Sequence, residues 1–192
     1  MSASAALRNL LEGNARFVAG NPLCRPTVSQ VRELASGQSP FATVLACADS
    51  RVPVETLFDH APGDIFVVRL AGNFVSDAAL ASIEYATAVL KSPLVMVLGH
   101  TSCGAVQAAV EYARTGIKLP GHMHMLVDAI LPAAKACEHQ PGDWWSNAVV
   151  ENARLNARTL RESEPIMTQA LKNGHEIVGA VYDLSTGKVA LL

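Results

Sequence analysis

The chain has 192 residues, half of them hydrophobic and 17% charged, with a formal net charge of −2. A chain of this length buries roughly 70% of its unfolded surface, so folding requires neither a disulfide nor a metal. Lys and Arg are scattered, which argues against a nucleic-acid partner. No apolar run approaches about 18 residues, which argues against a membrane span. We therefore expect one globular domain over residues 1–192.

The first predicted element is an amphipathic helix over residues 4–20. Leu7, Leu10 and Leu11 begin an apolar pattern at helical spacing, and Gly20-Asn21-Pro22 ends it. An extended arm with two prolines follows at Asn21–Pro26. Such a segment often packs outside its own domain, so we expect residues 1–36 to pack on a partner subunit.

The start of the chain lacks the charged-then-apolar order of a signal peptide, which favours a cytoplasmic protein. Thiols stay reduced in that compartment, so the cysteines are expected to be free or to bind metal. There are four of them: Cys24, Cys47, Cys103 and Cys137.

Continuous apolar runs alternate with helical patterns through the rest of the chain. The predicted strands are Phe41–Cys47, Ile65–Leu70, Leu94–Gly99, Ile177–Tyr182 and Lys188–Leu192. The predicted helices are Val54–Phe58, Ala78–Leu90, Ala105–Arg114, Met123–Ala136 and Asn147–Asn173. Continuous rather than alternating apolar strands are typical of a parallel sheet covered on both faces. The predicted fold is α/β, with four parallel strands, an antiparallel edge strand after the turn at residues 183–187, and flanking helices.

Two motifs stand at the carboxyl ends of the first and third predicted strands. The first strand runs into Cys47, and the third runs into His100-Thr-Ser-Cys103. Sites in open α/β sheets lie outside the carboxyl ends of the strands, so these motifs are expected to meet. Two thiolates and one imidazole favour Zn²⁺, and three protein ligands leave the fourth tetrahedral position open. The pattern predicts a catalytic zinc site.

Asp49 and Arg51 lie two residues apart, directly after Cys47. Arg51 can bind the Asp49 carboxylate through two hydrogen bonds, which would keep that carboxylate from taking the open metal position. Asp49 could then accept a hydrogen bond from the metal-activated nucleophile. The alternative is a surface ion pair, worth about 0–1 kcal/mol.

The motifs Cys47-Ala-Asp-Ser-Arg-Val and Gly99-His-Thr-Ser-Cys-Gly-Ala resemble the paired signatures of the β-class carbonic anhydrases. Weaker segments that resemble the family in the same order extend the likeness over residues 7–192. They are Leu11-Glu-Gly-Asn-Ala-Arg-Phe17, Gly37-Gln-Ser-Pro, Pro62-Gly-Asp-Ile-Phe-Val-Val-Arg69, Ala71-Gly-Asn73, Ser82-Ile-Glu-Tyr85 and Val178-Gly-Ala-Val-Tyr-Asp183.

The resemblance implies one zinc ion per chain and reversible hydration of CO₂ to bicarbonate and a proton by zinc-bound hydroxide. It implies zinc ligation by Cys47, His100 and Cys103, a catalytic pair of Asp49 and Arg51, and Asp49 as a possible fourth ligand in a closed state. It also implies substrate contacts from Gln38, Phe66, Tyr85 and the backbone N–H of Gly104. The implied assembly is a homodimer or homotetramer, with the aromatic residues shared across a subunit interface.

Two other functions stay open at this point. An enzyme of the same architecture could hydrolyse carbonyl sulfide or carbon disulfide, which are linear like CO₂. A non-catalytic zinc or thiol redox module would instead show four protein ligands or a Cys47–Cys103 disulfide. His60 is a candidate for the proton acceptor that regenerates the enzyme, although a surface histidine without a role is the commoner case.

Overall fold

The computed structural model describes residues 1–192 as an α/β fold around one five-stranded sheet. The strands follow the order β2-β1-β3-β4-β5, and only the pairing of β4 with β5 is antiparallel. Their bounds are β1 Ala42–Cys47, β2 Ile65–Leu70, β3 Leu94–His100, β4 Glu176–Tyr182 and β5 Val189–Leu191. The predicted fold class, with its antiparallel edge strand, is confirmed.

Eight α-helices accompany the sheet, together with 3₁₀ turns at Leu34–Ser36 and Gly121–Met123. Their bounds are α1 Ala3–Val18, α2 Val28–Glu33, α3 Val54–Leu57, α4 Asp77–Ala88, α5 Gly104–Thr115, α6 His124–Ala136, α7 Trp144–Glu162 and α8 Ile166–Lys172. None of them combines the length and apolar character that crossing a membrane requires.

The single long helix predicted over Asn147–Asn173 is wrong. The structure divides this region into α7 and α8, with Pro165 immediately before α8. Proline lacks the N–H that a continuing helix needs and disfavours helical geometry in the residue before it, so the chain turns at this point.

Burial explains why the strand predictions held. Every residue of β1 and β3 is buried, as expected for central strands covered on both faces. β2 lies at one edge and is largely half-buried. Because β1, β2, β3 and β4 run parallel, the segments that follow them gather at one end of the sheet.

One face of helix α1 packs on its own chain. Ala6 and Leu10 are fully buried in the core that covers one face of the sheet. The buried Asn14 side chain bonds the carbonyls of Leu57 and Gly187 and accepts from the N–H of Val189. Contact of residues 1–36 with a partner subunit stays a prediction for the outward face of α1 and for the arm.

Candidate metal centre

Three candidate ligands converge at the carboxyl end of the sheet. Cys47 is the last residue of β1, His100 is the last residue of β3, and Cys103 caps the amino end of α5. Their ligand atoms all lie within 4.8 Å of one another, and all three residues are buried. The structure therefore brings together the three side chains that the two motifs predicted as ligands.

The imidazole of His100 is oriented by its own backbone. Nδ1 lies 2.9 Å from the carbonyl oxygen of Thr101, to which it must donate. In the neutral ring this leaves Nε2 with a free lone pair. Nε2 is buried and has no hydrogen-bond partner, which is costly for a polar atom in a protein interior. A metal ion bound by Nε2 would remove that cost.

The two thiols complete a donor set that suits zinc. Cys47 Sγ accepts hydrogen bonds from the N–H groups of Gly72 at 3.3 Å and Asp49 at 3.4 Å, and lies 4.0 Å from Cys103 Sγ. The hydrogen bond from the Cys103 thiol lowers the pKa of Cys47, and backbone donors lower it further, while the same pairing raises the pKa of Cys103. Thiolate and imidazole donors are the usual ligands of zinc, so these residues fit the ion.

Asp49 and Arg51 form the predicted two-point pair beside the ligands. Arg51 Nε donates to Asp49 Oδ1 at 2.9 Å, and Nη2 donates to Oδ2 at 2.8 Å. The guanidinium of Arg51 holds the pKa of the Asp49 carboxyl well below its usual range. Asp49 Oδ2 lies 3.9 Å from His100 Nε2, so the carboxylate faces the ligand cluster while Arg51 holds it.

Three further residues support this centre through hydrogen bonds, and Trp145 and Asn152 among them were not singled out from the sequence. Arg69 donates to the carbonyls of Cys47 and Asp49. Trp145 Nε1 donates to the carbonyl of Cys103 at 2.9 Å. Asn152 Nδ2 donates to the carbonyl of Gly72, whose N–H bonds the Cys47 sulfur. These bonds go to backbone carbonyls, which carry no sequence signature.

None of the four predicted substrate-binding residues makes a side-chain hydrogen bond to the ligand cluster of its own chain. Gln38 is exposed and makes no hydrogen bond. Phe66 and Tyr85 pair with ring centroids 6.3 Å apart, and Tyr85 is 49% exposed. Gly104 follows Cys103 as the first residue of α5, and nothing lies within 4 Å of where its Cβ would be. Of the four, Gly104 alone adjoins the cluster directly in sequence.

His60 does not suit the role of proton acceptor. It lies before β2, at the amino end of the sheet, whereas the ligand cluster lies at the carboxyl end. Its side chain is only 10% exposed, and its ring nitrogens face Asp64 Oδ2 and the carbonyl of Asn9. The candidate assignment of His60 is therefore wrong, because the residue reaches neither the metal site nor open solvent.

Comparison with known proteins identifies the class that this fold and site define. The family described as carbonic anhydrase matches residues 42–189, a span that includes all three ligand candidates and the Asp49–Arg51 pair. The chain belongs to this family, in its β class, whose members are lyases.

Similar proteins extend the likeness over almost the whole chain. Carbonic anhydrase of Mycolicibacterium smegmatis is 41% identical over 195 residues, which cover 97% of this chain and 92% of that protein. Carbonic anhydrase 2 of Mycobacterium tuberculosis is 41% identical over 193 residues, covering 97% and 91%.

Solved structures show the same fold. A tetrameric β-carbonic anhydrase of Sordaria macrospora superposes with a TM-score of 0.76 at 26% identity, covering 84% of this chain and 85% of that one. The Coccomyxa β-carbonic anhydrase in complex with acetazolamide superposes with a TM-score of 0.74 at 28% identity, covering 97% and 86%.

Proposed function

We propose that this protein catalyses the reversible hydration of carbon dioxide to bicarbonate and a proton with one zinc ion per chain. The observation that carries the proposal is the buried, unpartnered Nε2 of His100 grouped with the sulfurs of Cys47 and Cys103. Relatives that share 41% identity over nearly the whole chain are named carbonic anhydrases, which supports the same reaction here.

Cys47, His100 and Cys103 would hold the ion and leave one tetrahedral position open. When bound, zinc supplies Lewis acidity that lowers the pKa of water from 15.7 to roughly 7. The three residues sit at the ends of buried elements, which fixes their positions before the metal arrives.

Asp49 would orient the attacking water by accepting its hydrogen bond. Arg51 occupies both carboxylate oxygens from one side, so Asp49 is held back from the open ligand position. The lowered pKa keeps Asp49 ionised and able to accept at neutral pH. Asp49 as a fourth ligand in a closed state would require this pair to break.

Gln38, Phe66, Tyr85 and the Gly104 N–H are proposed to line the substrate pocket. No hydrogen bond joins the side chains of the first three to the ligand cluster of their own chain, and we place them in the pocket of a partner subunit. The tetrameric Sordaria macrospora relative and the exposure of Tyr85 support a homodimer or homotetramer. Four free cysteines also support the cytoplasmic location proposed from the sequence.

The two competing functions receive no specific support. All four cysteines are free, and the Cys47 and Cys103 sulfurs, 4.0 Å apart, form no disulfide. No feature of the site favours carbonyl sulfide or carbon disulfide over CO₂.

The test combines zinc analysis with stopped-flow CO₂ hydration on the wild type and Cys103→Ala. We expect Cys103→Ala to lose zinc and CO₂ hydration together, because removing a thiolate leaves only two protein ligands. A sulfide-release assay with carbonyl sulfide on the same samples distinguishes the alternative substrate.

Cys137→Ala is the matched control, since Cys137 is equally buried but lies outside the cluster. It should retain zinc and activity. Full CO₂ hydration by metal-free protein would overturn the proposal, as would wild-type activity of Cys103→Ala.

A further inference from the structure

A cavity lies at the opposite end of the sheet from the candidate metal centre. It has a volume of about 490 Å³ and lies between the end of α4 and helix α8. Its lining includes Thr87, Lys91, Gln169, Asn173 and His175. β3 separates the two ends of the sheet, and its seven residues at about 3.3 Å each place the cavity roughly 20 Å from the ligand cluster.

Two residues that line this cavity carry buried polar atoms without partners. Thr87 is only 2% exposed, and its hydroxyl makes no hydrogen bond. Both ring nitrogens of His175 are buried and unpartnered as well. A threonine in a helix can ordinarily bond the carbonyl one turn earlier, so the free Thr87 hydroxyl is unusual. Unpartnered groups from two separate segments indicate that something else satisfies them.

The charge of the lining indicates the kind of ligand. Lys91 lines the cavity and takes part in no ion pair. No carboxylate lines the cavity, although Glu164 and Glu176 adjoin lining residues in sequence. The side-chain amides of Gln169 and Asn173 add hydrogen-bond donors at the rim, and they already bond each other at 3.3 Å.

From this geometry we propose that the cavity is a binding site for a small oxyanion, a phosphate or carboxylate group. Lys91 supplies the positive charge, and the buried Thr87 hydroxyl and a ring nitrogen of His175 turn toward the cavity to donate hydrogen bonds to the anion oxygens. Ala88, Pro165 and Ile166 provide an apolar wall, so an organic anion with a short apolar part also fits. The volume lies within the range of about 300–1,000 Å³ that is typical of small-molecule sites.

The test uses inorganic phosphate as the probe on the zinc-loaded protein. Binding is followed by calorimetry and by the ring signals of His175, which are assigned with His175→Gln. We expect saturable shifts of these signals. Lys91→Met should weaken phosphate binding at this site by at least about tenfold, because a charged donor is lost. An acetate titration then distinguishes carboxylate from phosphate binding.

Thr87→Val is a second test variant, and Lys172→Met is the control for loss of a lysine charge. Thr87→Val removes an unpartnered hydroxyl, so it should weaken phosphate binding without lowering the melting temperature. Lys172 is exposed on α8 outside the cavity lining, so Lys172→Met should bind phosphate like the wild type. CO₂ hydration should be unchanged in all variants, which separates this site from phosphate bound at the zinc. Unshifted His175 signals, or equal affinity in the wild type and Lys91→Met, would overturn the proposal.

Discussion

The ion pair of Asp49 and Arg51 has well-aligned hydrogen bonds, although the Arg51 side chain is largely exposed to solvent. The side chain of Arg51 is 53% exposed and that of Asp49 is 18% exposed, so the contribution of the pair to folding stability is small. The pair nevertheless makes two parallel hydrogen bonds, and Arg51 also donates to the carbonyl of Ser102 beside Cys103. The pair adds little stability but fixes a carboxylate beside the candidate ligands. A role in catalysis therefore explains it better than a role in folding.

We therefore expect Asp49→Asn to keep its zinc but to lower kcat for CO₂ hydration by about 100-fold. The amide keeps the size of the side chain but loses the negative charge that attracts the proton of the attacking water. Zinc content and stopped-flow kinetics measure the two effects separately. Asp77→Asn, an exposed change in the first turn of α4, is the control. Unchanged kcat in Asp49→Asn would remove the carboxylate from the mechanism.

At this scale the sequence predicted the residues of the two motifs that the structure brings together, and it missed residues that bond to them from elsewhere in the chain. Cys47, His100 and Cys103 could be predicted because their side-chain chemistry and position at strand ends point to a metal. Trp145 and Asn152 could not, because each donates to a backbone carbonyl from distant α7. A role for Phe66 and Tyr85 in substrate binding could be predicted only through the family resemblance, because both side chains are partly exposed in the single chain.

Among the elements, the amino-terminal arm is held by a single buried carboxylate. Asp59, just after α3, is 4% exposed and accepts hydrogen bonds from the N–H groups of Leu23 and Cys24 and from Arg16 of α1. Burial alone would raise the pKa of Asp59, but these donors together lower it below its usual value. One charge therefore joins α1, the arm and the segment that follows α3.

This contact predicts an acid-sensitive part of the stability. The folded-state pKa of Asp59 is below the unfolded value of about 3.9, so its contribution is complete above that value and is lost as the pH falls through the folded pKa. Asp59→Asn should cost about 3 kcal/mol of unfolding free energy at neutral pH, because Arg16 and the arm lose their charged partner. Urea unfolding over a range of pH checks this.

The variant should also lose less stability than the wild type on acidification. Asp128→Asn, an exposed change on α6, should leave the curve of stability against pH unchanged. An Asp59→Asn protein as stable as the wild type at neutral pH would contradict the role given to this carboxylate.

Helices and strands were predicted correctly where apolar runs were continuous. The prediction failed where a capping residue or a proline decides where a helix begins or ends. The bounds of β1 and β2 were predicted to within a residue, because buried strands leave an uninterrupted apolar run. Helix α2 was missed because it buries no residue. Its signal was the capping box of Thr27 and Gln30, whose side chains bond each other's backbone N–H groups. The break between α7 and α8 was marked by Pro165.

For the whole molecule, we expect the exposed apolar face of α4 to contact another copy of the chain. Tyr85 and Val89 lie four positions apart at the end of this helix and are 49% and 59% exposed. Tyr85 adjoins Phe66, which extends the apolar surface toward the edge strand β2. Residues four apart share a helix face, so the two side chains form one surface.

We expect the protein to sediment as a dimer or tetramer and Val89→Glu to shift it toward the monomer, because a carboxylate would be buried without a partner. CO₂ hydration should fall with dissociation while zinc content stays unchanged, since the ligands come from one chain. Ile117→Glu, at a position 69% exposed beyond α5, is the control and should remain assembled. A monomeric wild type with full activity would contradict this assignment.

The ligand cluster joins parts of the chain that are far apart in sequence. Cys47 and Cys103 are separated by 56 positions and lie in the apolar core beneath α5 and α6. An ion bound there would join β1 to the start of α5, and because the unfolded chain holds no preformed site, its binding free energy would add to the stability of the folded chain. We therefore expect the zinc-free chain to open more readily at this end of the sheet than the zinc-loaded chain, so that the same ion would serve the folded state as well as the reaction.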